Sequence, residues 1–283
     1  MPARPTIRAR QLGSELRRLR EAANKSTDEA AAHLECSRPK ISRIETGSVA
    51  ARPIDVRALL DMYAVHDAAT RDALLELARQ SGRRGWWRDY GDTLPKPYED
   101  FVGLEAEASY IRTWQTSLIP GLPQTVDYAR AITAANPAST TPETVEQLVK
   151  VRMERQNAVM NRPDPPRFWA VIWEPALRVP VGGRDVMRAQ LAHLSELVAR
   201  PTTTVQVLKT KKGEIACVAR PFVVFAFPPP APDVVFLENL TSSNYLEGEN
   251  EVADHILTFD YLRSSAESPA DSLTLINQVI AEL

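Results

Sequence analysis

The stretch Cys36-Ser-Arg-Pro-Lys-Ile-Ser-Arg-Ile-Glu-Thr-Gly47 decides how the first third of this chain is read. Ser37 stands where it can cap a helix that Arg38, Pro39 and Lys40 open. Proline is tolerated in a first turn because its missing N–H has no partner to lose there. Ile41 and Ile44 give this helix one apolar face, and Gly47 ends it as a left-handed cap. Just upstream, Ser26 and Glu29 have the spacing of a capping box, opening a helix that carries Ala30, Ala31 and Leu34 inward. The linking turn, Glu35-Cys36-Ser37, is short, and Ala31 offers the small side chain needed where two helices cross closely. Two helices so joined form a helix-turn-helix, whose second helix lies in the DNA major groove.

Outward from this pair, Leu12, Leu16 and Leu19 recur at helical spacing up to Ala23. Pro53 opens a fourth helix with Val56, Leu59, Leu60 and Tyr63. A fifth is expected from about Thr70 to Gln80. Residues 1–85 therefore read as an all-α, five-helix domain. They hold 16 Lys and Arg against 11 Asp and Glu, a net +5, while the remainder holds 18 against 25, a net −7. The overall charge of −2 conceals this split, which suits one domain that meets phosphate and one that does not.

The run from Cys36 to Gly47 resembles the recognition helix of Xre/Cro-type repressors, in the form S-x-x-x-I-S-x-x-E-x-G. The resemblance implies a lambda-repressor-like arrangement of the five helices. At the turn, Glu35 stands where glycine is usual, so it either takes up a left-handed backbone at some cost or the turn differs locally. The likeness continues through Trp86-Trp-Arg-Asp-Tyr-Gly-Asp, Phe101-Val-Gly-Leu-Glu-Ala-Glu-Ala, Ile119-Pro-Gly-Leu-Pro-Gln-Thr-Val-Asp-Tyr-Ala-Arg130, Arg152-Met-Glu-Arg-Gln156, Pro180-Val-Gly-Gly183 and Thr204-Val-Gln-Val-Leu208. These are similar to signatures of an actinobacterial group that joins an Xre-type domain to a C-terminal domain of poorly defined function. That group is implicated in developmental and antibiotic-related regulation, often beside a small partner in an antitoxin-like arrangement. The chain departs from it around Lys209–Arg220, where Lys209, Lys211 and Lys212 replace a Gly-rich stretch.

Residues 86–283 read as one mixed α/β domain. Glycines at 82, 85 and 91 mark a junction, with Trp86, Trp87 and Tyr90 expected to pack there. Helices are expected at about Glu105–Thr113, Gln124–Ala134 and Pro142–Asn161, the last with Thr141 as its cap. The period then changes: Phe168–Trp173, Thr203–Leu208, Pro221–Phe227 and Val234–Leu237 are short, β-branched or aromatic, and bounded by Pro, Gly or Asp. A helix over Arg184–Val198 separates the first two, and helices return over Glu249–Ser264 and Pro269–Glu282. Pro228-Pro-Pro-Ala-Pro-Asp reads as a rigid turn between strands.

Within the helix-turn-helix, Arg38 and Arg43 are the expected base readers, since Arg to guanine O6/N7 is the commonest specific contact. Thr27, Lys40 and Ser42 are expected on phosphates, with Arg52 a further phosphate candidate. Ser37 and Pro39 shape the helix start and complete the expected DNA-binding set, and the Pro39 ring could touch a thymine methyl. Glu45 is expected to hydrogen-bond within the domain. The expected partners are double-stranded DNA and a second copy of the chain, because one recognition helix reads too few bases to stand out in a genome. A small partner protein or small-molecule effector is expected on the acidic domain. An antitoxin-like protein that sequesters a small partner and regulates its own operon is the alternative.

Enzymatic classes find no residues to rest on. Glu105 and Glu107 face different ways on a helix, and His33, His66, His193 and His255 have no partner at metal or triad spacing. No cofactor and no metal are expected. Trp114, Trp169 and Trp173 are expected in the core. Cys36 and Cys217 form no disulfide framework, which fits idle or buried thiols in a reducing cytoplasm. No apolar run suggests a signal peptide or membrane span, so the expected location is cytoplasmic.

Overall fold

The computed structural model describes residues 7–81, 96–136, 141–214, 219–229, 231–239 and 242–283. Trp86, Trp87, Tyr90 and Cys217 lie outside the described residues, and so do the expectations placed on them. The chain divides into two compact units, a helical one of residues 1–89 with 228–232 and one built on a sheet, of residues 90–227 and 233–283.

The N-terminal unit has five helices: α1 (Ile7–Ala22), α2 (Thr27–His33), α3 (Arg38–Glu45), α4 (Pro53–Met62) and α5 (Ala68–Ser81). Their apolar stripes meet in one core, with Leu12, Leu16, Ile41, Ile44, Val56, Leu59, Leu60 and Leu74 almost fully buried. Ser26 and Glu29 close the reciprocal capping box at the start of α2. Ser37 occupies the cap position of α3 but makes no side-chain cap hydrogen bond, a correction to its expected role.

Two glycines set how closely α1 and α3 approach. A Cβ at Gly13 would stand 2.3 Å from the carbonyl oxygen of Ile44, so only glycine lets the helices cross at this distance. Gly47 ends α3 at φ +71°, against the backbone of Arg10, and a Cβ there would lie 2.5 Å from the Arg10 nitrogen.

The C-terminal unit is a six-stranded mixed sheet flanked by helices. Its elements are α6 (Lys96–Glu107), β1 (Tyr110–Gln115), α7 (Val126–Ala134), α8 (Pro142–Met160), β2 (Arg167–Trp173), α9 (Pro175–Arg178), α10 (Arg184–Leu197), β3 (Thr203–Leu208), β4 (Phe222–Ala226), β5 (Val234–Glu238), β6 (Ser243–Leu246), α11 (Glu249–Ser265) and α12 (Pro269–Glu282). The strand order is β3-β2-β1-β4-β5-β6, with β1, β2 and β3 parallel and β1/β4, β4/β5 and β5/β6 antiparallel. Helices return the chain between the parallel strands, as parallel pairing requires.

One sequence expectation fails here, and one strand was not foreseen. The helix placed over Glu105–Thr113 ends at Glu107, and Tyr110–Gln115 is instead a central strand. Six residues of mixed polarity cannot by themselves distinguish helix from strand, and β1 is fixed by pairing with β2 on one side and β4 on the other. The short strand β6 had no expectation at all.

One face of the sheet packs Trp114, Val171, Leu208, Val224 and Val235 against Val252, Phe259 and Leu262 of α11. The other face receives α6, whose Phe101 ring lies 5.4 Å from Phe225 and 4.6 Å from Phe236. At the β3 edge, Ser272 Oγ of α12 accepts the Val207 N–H at 2.9 Å, and the Glu267 N–H donates to the Val207 carbonyl at 2.9 Å. Covering an edge this way removes a row of unpaired backbone groups.

Candidate nucleic-acid interface

The turn between α2 and α3 fixes everything presented beyond it. Glu35 adopts φ +49°, so the chain does use a left-handed residue at the place where glycine would be unstrained. The turn is held by the Cys36 N–H donating to the Ala31 carbonyl at 2.9 Å. Cys36 itself is half-buried at the edge of the core.

Beyond the turn, α3 buries Ile41 and Ile44 and leaves Ser37, Arg38, Pro39, Ser42 and Arg43 exposed. Arg43 donates from Nε to its own helix at the Pro39 carbonyl (3.3 Å) and, among the described residues, has no carboxylate partner. Arg38 lies 3.7 Å from Asp28, both well exposed, a contact worth at most about 1 kcal/mol. Thr27 opens α2 beside that aspartate, and among the described residues Ser42 is engaged only through its backbone, whose carbonyl accepts from the Thr46 hydroxyl at 2.9 Å.

Lys40 and Arg52 meet at one carboxylate. Asp55 accepts from Arg52 Nε (3.1 Å) and Nη2 (2.8 Å) and from Lys40 Nζ (3.4 Å). Hydrogen bonding from Arg52 holds the largely buried Asp55 carboxyl below its ordinary range, against the opposing effect of burial, and Lys40 adds to it. Asp55 was not among the residues singled out by sequence, although its position three residues after Arg52 on a helix is a readable signal. Through Arg38–Asp28 and Lys40–Asp55–Arg52, the N-terminal ends of α2, α3 and α4 adjoin. Helix N-termini carry partial positive charge, which favours anions near them.

Elsewhere in this unit, several basic residues are neutralised locally. Arg17 pairs with Glu21, Arg18 with Glu15, Arg71 with Asp61 and Arg79 with Glu76. Arg20 is bound to Glu45 through the Nε and Nη2 edge of its guanidinium and donates from Nη1 to the Lys25 carbonyl at 2.8 Å. The Tyr63 hydroxyl is buried without a hydrogen-bond partner, and that burial, with Glu45 nearby, pushes it up to about 12.

The remaining side chains considered for chemistry are dispersed. Among the described residues, no group of three or more His, Cys, Asp and Glu side chains could hold a metal ion. Trp114 is fully buried, and Trp169 and Trp173 pack against the same core. Lys209 pairs with Glu267 and Lys212 donates to the Ser265 carbonyl, so two of the three lysines there are tied to the fold. No described helix is long and apolar enough to cross a membrane.

Comparison with known families separates the same two parts. A helix-turn-helix domain model matches residues 11–74, and a domain of unknown function, DUF5753, matches residues 98–278. No curated protein and no solved structure matches the chain. The second match spans well over half of the sequence, so this protein belongs to the DUF5753 family and carries a helix-turn-helix domain in front of it.

Proposed function

We propose that this protein is a sequence-specific transcriptional regulator of the Xre/Cro type, of the kind its actinobacterial resemblance implies. One observation carries the reading: Thr27, Ser37, Arg38, Pro39, Lys40, Ser42, Arg43 and Arg52 all fall on the adjoining N-terminal ends of α2, α3 and α4 or on the exposed side of α3. Arg38 and Arg43 read base edges, while Thr27, Lys40, Ser42 and Arg52 fix register on phosphates. The protein works as a cytoplasmic homodimer on a short inverted repeat, because paired half-sites supply the discrimination a single helix lacks. The larger acidic domain takes the effector or partner that changes operator affinity. The reading assigns no catalytic step.

The test is selection of bound duplexes from a random library, followed by titration of the selected site. Enrichment of an inverted repeat is expected, and Arg38→Ala or Arg43→Ala should weaken its binding by roughly 1–3 kcal/mol while leaving folding unchanged. No enrichment, or unchanged binding by both variants, would overturn the proposal. A stoichiometric small protein that co-purifies and competes with DNA would favour the antitoxin-like alternative instead.

A further inference from the structure

Three separated segments of the C-terminal unit converge on one buried polar cluster. Arg155 of α8 is 4% exposed; its Nε lies 2.8 Å from Glu105 Oε2 of α6, itself 4% exposed. Arg155 also donates from Nη1 to the Tyr98 hydroxyl at 2.7 Å and stacks over Phe101 at 5.3 Å. One turn earlier on α8, Arg152 donates from Nη1 to Gln124 Oε1 at 2.6 Å. Its Nε is solvent-inaccessible and has no hydrogen-bond partner. Arg152 nevertheless keeps partial exposure as a residue.

The charges do not balance. Two guanidinium groups share one buried carboxylate, and Arg155 takes it. No ion pair joins Arg152 to an acidic side chain among the described residues. Glu238 acts on both arginines only through longer-range attraction and is solvent-exposed, so its field is screened. A guanidinium shielded from water without a counter-ion is costly, and such groups are found paired. Burial accordingly pulls Arg152 below its ordinary value, whereas Arg155, beside Glu105, is held above it.

The surroundings are rigid. Gln156 Nε2 donates to the carbonyls of Gly121 (2.8 Å) and Gln124 (2.9 Å), and Gln124 Nε2 donates to the Ile119 carbonyl (2.8 Å). The fully buried Gln190 accepts the Thr125 N–H and donates to the Pro123 carbonyl, both at 2.7 Å. Gly121 leaves room for the guanidinium, since a Cβ there would sit 2.3 Å from Arg155 Nη2. A loop fixed by this many side-chain bonds needs little ordering when something binds beside it.

We propose that Arg152, held beside Tyr98 and the fixed loop 119–125, is the anchor of a binding site for the oxyanion group of a small molecule, a carboxylate or a phosphate. The anion supplies the missing counter-charge, and the planar fork of Arg152 suits either group. This goes beyond the proposed DNA-binding role and does not depend on it, since the site lies wholly within the C-terminal unit.

Calorimetric melting of the full chain tests this, in chloride buffer and with inorganic phosphate or acetate added at constant ionic strength. At least one of the two anions should raise the melting temperature by about 2 °C or more at saturation. A shift with phosphate alone identifies a phosphate group, and one with acetate alone a carboxylate. Arg152→Gln should abolish the shift and, because it removes an uncompensated charge, leave the melting temperature in chloride unchanged or higher. Arg155→Gln should lower it in every buffer. A variant with both Arg38→Ala and Arg43→Ala should retain the shift, which excludes binding at the helix-turn-helix. If Arg152→Gln does not fold, Arg152→Lys, which keeps the charge but loses the fork, should still diminish the shift. The proposal fails if neither anion shifts melting, if the shift survives intact in the Arg152 variant that folds, or if Arg152→Gln destabilises as much as Arg155→Gln in chloride.

Discussion

Arg20 on α1 grips Glu45 at the end of α3 along two parallel bonds, Nε to Oε1 at 2.6 Å and Nη2 to Oε2 at 3.0 Å. Both side chains are about nine-tenths buried, and the pair ties the recognition helix to the helix that supports it. Arg20→Ala or Glu45→Ala alone should destabilise the N-terminal unit by about 3 kcal/mol, because each strands a shielded charge. Replacing both by apolar residues of similar size should recover most of that loss. Urea unfolding of the two single variants and the double variant measures it. A loss under about 1 kcal/mol for either single change would mean that the pair behaves as a surface contact.

Glu35 pays a conformational cost at φ +49° that glycine would not. Glu35→Gly should therefore raise stability by about 1 kcal/mol, the typical excess for a side chain in the left-handed region. Thermal melting checks the sign, and a lower melting temperature would show that the Glu35 side chain offsets its own strain.

Gly13→Ala should do the opposite, despite alanine's helix propensity advantage of about 1 kcal/mol. The added methyl would meet the carbonyl oxygens of Ile44 at 2.3 Å and Glu45 at 2.6 Å, and backbone atoms cannot turn aside as a flexible side chain can. Overpacking of this kind costs typically 1–3 kcal/mol. The same variant should weaken DNA binding, since α3 must shift away from α1.

Asp55 makes stability depend on pH in a definite direction. Its folded carboxyl is held below the ordinary value, chiefly by Arg52. Its contribution is therefore complete above the ordinary carboxylate range, near pH 4, and is lost as pH falls through the lowered folded value. Asp55→Asn should be less stable than the parent at pH 7, with the difference shrinking on acidification below about pH 4. Acid titrations of both proteins followed by circular dichroism give the comparison, and a pH-independent difference would contradict it.

Lys40 and Arg52 offer positive charge from the two sides of Asp55. If both reach phosphates, Lys40→Ala and Arg52→Ala should each lower the slope of log K against log salt by about 1, equally for operator and unrelated duplexes. Arg43→Ala should instead reduce discrimination between them. A Lys40 variant that lost only operator affinity would move Lys40 from phosphate to base contact.

The sequence by itself determined the helical unit and where its helices begin and end. Ser26 with Glu29, Pro53 at a first turn and Gly47 as a left-handed cap all act within a few residues, so their effect can be read locally. Strands β2 and β3 were equally legible, since each is a short run rich in β-branched or aromatic residues. What only the tertiary structure decided depends on groups distant in the chain. The register of β1 is fixed by strands from around residues 170 and 224, the closeness of α1 and α3 by Gly13, and the role of Asp55 by Lys40 fifteen positions earlier. Glu105 and Arg155 carry no local sign of their pairing across fifty residues. Caps and periodicity act along the backbone and leave a pattern in sequence, whereas buried charge pairing and close helix contacts act through space and leave none.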